Sequence, residues 1–369
     1  MAIQQTAMKS SDAEVPDVET FETIVIGGGQ AGLSVGYYLK RQGGAFVILD
    51  ANEQIGGSWR TRTWDSLRLF TPARYDGLPG WPFPAAGWSY PTARETADYL
   101  EAYASRFELP VRTGITVERL RKDGGRFVVE SGERRFEAGQ VVVATGFYGT
   151  PAVPGFADEL DPRIVQMHSS EYRDPSQLRP GGVLLVGAGN SGADIAMEVS
   201  KTHRTWLSGR DKGQVPIRIE SPLARFVLPI LWFVASHVLT VKTPIGRKAQ
   251  PHVLANGAPR IRVKTDDLEA AGVDRVPKTV AVSDGLPVLE DGRGLDVANV
   301  IWCTGFRQDF SWIDVPVFGE QEELRHERGV TSEPGLYFVG LDFLYSFTSE
   351  NVGGVGRDAR HIAKRIADR

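Results

Sequence analysis

Two glycine-rich hexapeptides carry the chemistry that is easiest to read, Gly27-Gly28-Gly29-Gln30-Ala31-Gly32 and Gly187-Ala188-Gly189-Asn190-Ser191-Gly192. In a G-x-G-x-x-G turn the first glycine permits a sharp bend and the second lets the backbone approach a pyrophosphate. The third allows the following helix to pack close to the strand before it. The N–H groups that open such a helix supply partial positive charge to a phosphate. A glycine turn alone is a weak signal, and the residue that ends the next strand sharpens it. After the first hexapeptide that residue is Asp50, a carboxylate suited to a ribose diol. After the second the chain reads Trp206-Leu207-Ser208-Gly209-Arg210, with no acid. Ser208 and Arg210 suit a 2′-phosphate, which an Asp would repel; solvated surface is the plainer alternative. FAD is therefore expected on Gly27, Gly29, Gln30, Ala31, Gly32 and Asp50. NADPH is expected on Gly187, Gly189, Asn190, Ser191, Gly192, Ser208 and Arg210.

The elements that must position these turns come in order. A β-branched run, Thr23 to Ile26, precedes the first turn, and a second strand spans Ala45 to Asp50. Short alternating segments from Val111 to Gly146 predict an antiparallel meander ending in the buried strand Val141-Val142-Val143. Pro151 to Gly155 reads as a crossing between domains. The second strand–turn–helix begins at Gly182, strand patterns return at Val297 to Trp302 and Leu336 to Val339, and a helix over Val355 to Ala367 closes the chain. The expected fold is α/β: two Rossmann-like dinucleotide-binding domains, three-layer, with an antiparallel β-meander in the FAD domain. Residues 21–155 and 297–369 would form that domain, 156–296 the NADPH domain, and 1–20 a disordered tail.

Bulk composition narrows the partners. A formal net charge of −4 over 369 residues leaves no basic excess for nucleic acid. Cys303 is the only cysteine, which excludes a disulfide framework and an internal dithiol relay, and its apolar strand end predicts an inert thiol. The N-terminus has no signal-like apolar run, so a cytoplasmic protein is expected. The apolar stretch from Pro222 to Val241 contains Pro229 and Arg225 and falls short of a membrane span. A buried helical excursion, a substrate-channel wall and shallow membrane contact all remain open for it. No metal is expected.

Further segments surround the first turn. In Gly56-Gly57-Ser58-Trp59 the glycines would let the chain pass close to a flavin and Trp59 would supply a flat wall, with ordinary core the alternative. Gly146 in Ala144-Thr145-Gly146 and Gly305 in Cys303-Thr304-Gly305 end strands where the chain changes domain. Together these motifs resemble the flavin-containing monooxygenases, over nearly everything from Phe21 to Arg369. The stretch from Asp65 to Pro84, with GLYFVG and GVGRDA near the end, is similar to a bacterial branch and to the plant flavin monooxygenases of auxin synthesis.

The resemblance implies that NADPH reduces FAD and that O₂ then forms a C4a-hydroperoxyflavin. That species would pass one oxygen atom to a small nucleophilic or carbonyl substrate. It adds Gly57, Ser58, Trp59, Gly146 and Asn351 to the FAD residues, the last at the start of a final helix aimed at the flavin, where a plain N-terminal cap is the alternative. His168 and Tyr172 match half of an interdomain fingerprint whose F-x-G half is replaced by Pro162, Arg163 and Ile164; a packed hinge residue is the alternative for His168. Where many members place Asn before Pro, this chain has Phe70-Thr71-Pro72, so Phe70 and Thr71 become pocket candidates. Trp81, Phe83, Trp88 and Tyr90 suggest an apolar pocket or a surface seal. An NADPH oxidase or diaphorase, and a redox sensor without turnover, are the competing functions.

Overall fold

The computed structural model describes residues 18–146 and 149–369. The first unit runs β1 (Val18–Ile26), α1 (Gln30–Gln42), β2 (Phe46–Leu49), the short α2 (Gly57–Thr61), α3 (Ala93–Arg106), β3 (Val111–Arg112), β4 (Arg119–Asp123), β5 (Arg126–Ser131) and β6 (Arg134–Val143). Strands β3, β2, β1 and β6 lie parallel in that order, while β6, β5 and β4 turn back as an antiparallel meander. Period-two alternation sorts the side chains of the parallel sheet. Ile24, Ile26, Val47, Leu49, Val141 and Val143 face the meander's Leu120, Phe127, Val129 and Phe136. Val25, Ile48 and Val142 face the helices, with Leu33, Leu100 and Tyr103. The result is the expected three layers. The tail differs from expectation at its end: Val18, Glu19 and Thr20 pair with Arg135, Phe136 and Glu137, because the ten-residue β6 offers a parallel edge that extends below the buried part of β1. The remainder of the expected tail lies outside the described residues.

The second unit follows β7 (Thr150–Pro151). It contains β8 (Val165–His168), β9 (Val183–Val186), α4 (Asn190–Val199), β10 (Thr205–Ser208), α5 (Ala224–Phe233) running into one π-helical turn at Val234–Val238, α6 (Pro244–Asn256), α7 (Thr265–Ala270), β11 (Asp274–Val276), the hairpin β12 (Thr279–Ser283) and β13 (Leu286–Leu289), and β14 (Asn299–Trp302). Its sheet is all-parallel, in the order β11-β10-β9-β14-β8. The expected return to the first unit at residue 297 is therefore too early. Asn299 to Trp302 sits between β9 and β8, where Val300, Ile301 and Trp302 are buried on both faces of the sheet.

The chain re-crosses at β15 (Phe306–Arg307), which pairs with β7 as a two-stranded link. Then come β16 (Ile313–Asp314) beside β4, the hairpin β17 (His326–Glu327) and β18 (Val330–Thr331), β19 (Leu336–Phe338) on the C-terminal half of β6, and α8 (Gly356–Ala367) along α1. The two units share packing: Trp64, Leu67 and Ala93 are buried in one cluster with Val183, Leu185, Ile195 and Leu207 of the second unit. Trp59 packs against both this cluster and the helix-side core of the first unit.

Candidate functional site

The two glycine turns have nearly the same backbone geometry. At Gly27, φ is +108° and an added Cβ would lie 2.5 Å from the Ala144 carbonyl oxygen. At Gly187, φ is +116° and the same atom would lie 2.2 Å from the Cys303 carbonyl oxygen. Cβ atoms on Gly32 and Gly192 would each come within 1.9 Å of the carbonyl of the turn's first glycine, so helix and turn touch through those positions. Gly29 and Gly189 behave differently: nothing stands within 4 Å of either added Cβ. These two positions face open space at helix starts, where the first-turn amides have no intrahelical acceptor. Gly146 and Gly305 also face open space, at φ +75° and +82°. A cleft of about 470 Å³ opens beside Gly146, lined by Thr116, Thr145, Gly149 and Trp312 among others.

Around the first turn, Asp50 is buried and acts as a clasp. Its Oδ2 accepts from the Gly28 amide at 2.5 Å, and its Oδ1 accepts from the backbone and side-chain amides of Asn52 at 2.7 Å each. Gly56 and Gly57 serve close packing within the protein rather than openness. Added Cβ atoms would meet the Ala97 carbonyl oxygen at 2.8 Å and the Asn52 side chain at 2.5 Å. The exposed Ser58 lies on α2. The Trp59 indole donates to Gln30 Oε1 at 3.4 Å, and Gln30 reaches the Glu350 carbonyl at 3.5 Å. Asn351 does not cap α8 with its side chain. The cap position is Val355, and the Asn351 carbonyl accepts from the amides of Gly354 and Val355. Ala31 is buried and packs under Gly340, where an added Cβ would come within 2.8 Å of it.

Around the second turn, register corrects the expected ligand set. The Gly27 amide donates to Leu49 and the Gly187 amide to Ser208, so the counterpart of Asp50 is Gly209 and not Ser208. Ser208 is fully buried; its hydroxyl donates to the Pro277 carbonyl at 2.9 Å and accepts from the Thr279 amide at 2.8 Å. It is closed to a phosphate. Asn190 likewise spends its side chain on the protein, accepting from the Ile261 amide at 2.8 Å and donating to the Pro259 carbonyl at 3.2 Å. That pair of bonds fixes Arg260, whose side chain is only 1% exposed.

Arg260 holds Nη1 3.2 Å from the Asp211 carboxylate and donates to Thr265 Oγ1 at 2.8 Å, while its Nε, like the Nε of Arg275, has no hydrogen-bond acceptor. Burial first, and then the charge of Arg260, pushes the Arg275 guanidinium below its ordinary value. Buried guanidinium N–H groups without acceptors are costly unless an anion completes them. Arg210 is exposed on the same strand end. Sequence reading missed Arg260 and Arg275, although the basic run from Arg260 to Lys264 was a visible signal.

Between the turns lies the segment from Trp64 to Tyr90. Phe70 is half-buried, with the Arg262 guanidinium 5.6 Å from its ring centre. Arg262 donates to the carbonyls of Arg68 and Leu69 at 3.1 and 2.7 Å and lies 3.6 Å from Asp194 on α4, tying the two units together at this point. Thr71 donates to Asp76 Oδ1 at 2.5 Å. Asp76 is fully buried with Oδ2 unpartnered, and burial pushes its carboxyl up to about 7 against the Thr71 hydrogen bond. Nothing in the local sequence marked it. Trp81 and Phe83 pack on Tyr99, with ring centres 5.2 and 4.6 Å apart, and belong to the core rather than to a pocket. Trp88 and Trp232 instead flank Tyr75, and Tyr90 donates to the Ile219 carbonyl.

His168 is buried at the hinge, its Nε2 bonded to the Gly305 carbonyl at 3.0 Å and its Nδ1 accepting from the Ser170 amide at 3.2 Å. This fixes the neutral Nε2–H tautomer, and burial keeps the imidazole below its usual value. The packed-hinge reading holds for it. Burial raises the Cys303 thiol to about 12, which keeps it inert.

Residues 24–217 match the model of the pyridine nucleotide-disulphide oxidoreductase family. An uncharacterized CzcO-like oxidoreductase of Geobacillus kaustophilus is 38% identical over 355 residues, covering 94% of this chain and 98% of the relative. A double-substituted flavin monooxygenase from Stenotrophomonas maltophilia superposes with a TM-score of 0.79 at 30% identity, over 95% of this chain and 99% of the other. The chain belongs to the flavin-containing monooxygenase family. A probable indole-3-pyruvate monooxygenase of Arabidopsis thaliana, YUCCA9, is 27% identical over 94% of this chain and 88% of its own length.

The matched family is one of pyridine-nucleotide enzymes, and the similar Stenotrophomonas protein is a flavin enzyme. The disulphide chemistry in the broader family's description has no counterpart here, since one cysteine cannot form a redox pair. The open Gly29 and Gly189 positions fit two dinucleotides, and the buried, unpartnered Nε atoms of Arg260 and Arg275 fit an anion at the second.

Proposed function

We propose that this flavoprotein monooxygenase uses NADPH and O₂ to insert one oxygen atom into a small nucleophilic or carbonyl substrate, in the cytoplasm. The observation that carries the reading is the pair of dinucleotide cradles in one chain that has no second cysteine. Electrons drawn from a nicotinamide then have no dithiol outlet, and the likeness to flavin monooxygenases favours oxygen over a quinone as the acceptor. Bound FAD supplies the redox chemistry that divides O₂ between substrate and water.

The chain's own residues bind, orient and exclude water. The α1 amides beyond Gly29 hold the FAD pyrophosphate, and Asp50 keeps the turn closed by gripping Gly28 while it faces the ribose. Gln30, Trp59 and Gly146 line the route of the flavin, and the turn from Asn351 to Val355 directs the start of α8 toward it. The α4 amides beyond Gly189 hold the NADPH pyrophosphate, and Arg210, Arg260 and Arg275 take the 2′-phosphate. Arg262 holds Phe70 against the second unit, so that nicotinamide and flavin sites keep one fixed geometry. Thr71 presents a hydroxyl backed by Asp76, which can keep a proton on Oδ2 near neutral pH.

The test is stopped-flow absorbance of NADPH-reduced enzyme mixed with oxygenated buffer. A transient band distinct from oxidised and reduced flavin, shortened by a productive substrate, is the expected result. Direct return to oxidised flavin with one peroxide released per NADPH, unchanged across amine, sulfide and ketone substrates, would replace the monooxygenation reading with an oxidase.

A further inference from the structure

The apolar stretch that begins at Pro222 is not a buried excursion. On α5 and the residue preceding it, Leu223, Phe226, Ile230 and Phe233 are 62%, 75%, 64% and 57% exposed. Their spacing of three, four and three residues puts them on one side of the helix. Ile245 at the start of α6 is also exposed. The opposite side of α5 is anchored: Trp232 stacks on Tyr75 with ring centres 5.0 Å apart, and the following π turn receives Arg357 of α8 at the Ser236 carbonyl. The segment after it pairs with the chain before α8, through Val241 to Tyr345 and Phe347 to Leu239. The apolar stripe is thus held rigidly outward, on a scaffold that continues into the N-terminal turn of α8.

Charge accompanies the stripe. Between Ser221 and Asn256 the sequence holds Arg225, Lys242, Arg247 and Lys248 and no acidic residue, in a chain whose net charge is −4. Lys242 also lines a basin of about 530 Å³ with Arg325, Arg328, His361 and Arg365. Arg325 leans on Glu323 and Arg328 on Asp358, and Glu327 is the acid in the basin wall. Burial first, and then the charges of Arg328, Arg365 and Lys242, lower the His361 imidazole to about 4 against the pull of Glu327. Among the described residues no helix is long and apolar enough to cross a membrane.

We propose that the outward face of α5, with the cationic basin reached through Lys242, is a peripheral docking surface for an anionic phospholipid bilayer. Large apolar side chains would enter the acyl boundary while Lys242, Arg247 and Lys248 meet lipid phosphates. A second copy of this chain is a poor occupant, because two such faces would set like charges together. The proposal goes beyond the monooxygenase reading and does not depend on it.

The experiment is co-sedimentation of the flavin-loaded enzyme with vesicles of phosphatidylglycerol and phosphatidylcholine, against phosphatidylcholine alone. The expected result is binding to the anionic vesicles that falls at least about tenfold in 0.5 M salt. Phe226→Asp with Ile230→Asp should lower it by a similar factor, and so should Lys242→Glu with Arg365→Glu, with flavin content and NADPH oxidation retained. Equal partitioning of the wild type to neutral and anionic vesicles, no partitioning at all, or indifference to both variant pairs overturns the proposal. So does a concentration-dependent dimer that Phe226→Asp dissolves, which would assign the face to a second copy.

Discussion

The two nucleotide cradles are built alike and finished differently. Each has a positive-φ glycine against a carbonyl of the neighbouring strand's end, a helix-packing glycine, and an open glycine facing the ligand space. The difference lies one residue beyond the second strand, where Asp50 clasps the Gly28 amide and Gly209 presents no side chain. In the second cradle the cations come from farther along the chain, at Arg210, Arg260 and Arg275. In the proposed assignment, backbone geometry makes a pyrophosphate site of either turn, and the charge at the strand end selects the dinucleotide.

The strongest way to break this comparison is to apply one substitution to both turns. Gly29→Ala should yield colourless protein, with FAD retention lowered at least about 100-fold. Gly189→Ala should leave the protein yellow and weaken NADPH instead. Because both added Cβ atoms meet open space, melting temperatures of the FAD-free proteins should stay within roughly 3 °C of one another. A yellow Gly29→Ala protein at full occupancy would place FAD elsewhere.

Buried carboxyls give the next largest effect. Asp76, near the first cradle, titrates at about 7 and Asp194, near the second, at about 6, both raised by burial. A raised carboxyl favours the protonated folded state, so its contribution to stability is full below 3.8 and is lost as pH climbs toward the folded value. For Asp76 that loss is at most roughly 4 kcal/mol, and Asp76→Asn should flatten denaturant stability between pH 4 and 7. Asp194→Asn should flatten it less, since Arg262 already supports the charged form. A wild-type stability that rises across this window would contradict the assignment.

Third, Asp50→Ala leaves the Gly28 and Asn52 amides without acceptors and should cost about 1–3 kcal/mol of stability together with FAD affinity. Ser208→Ala should cost a similar amount of stability with the KM for NADPH unchanged. A large rise in that KM would return Ser208 to the ligand set. The smallest effect sharpens the second cradle. Arg260→Leu and Arg210→Ala should each raise the KM for NADPH about tenfold, and that for NADH less than about twofold. Equal effects on the two nucleotides would sink the 2′-phosphate assignment.

Much of the site was legible because its logic is local. A strand, a G-x-G-x-x-G and a helix lie within one stretch of chain, and Asp50 follows at the end of the next strand. The error at Ser208 shows where local reading stops. Sequence counts residues along a strand, but the bond from Gly187 to Ser208 sets which residue stands beyond the turn, and register is a property of the sheet. The same holds for the strand at Asn299, whose apolar residues fit either sheet.

Glycine spacing, alternation and cysteine number are all one-dimensional, so the pair of cradles, the order of the layers and the exclusion of dithiol chemistry could be read along the chain. Folding decided that Asp76 is buried beside Thr71, that the Nε atoms of Arg260 and Arg275 are buried without acceptors, that Arg262 joins the units, and that the apolar face of α5 points outward. Burial and electrostatic environment depend on which distant segments pack together, and a side chain's chemistry follows from those neighbours.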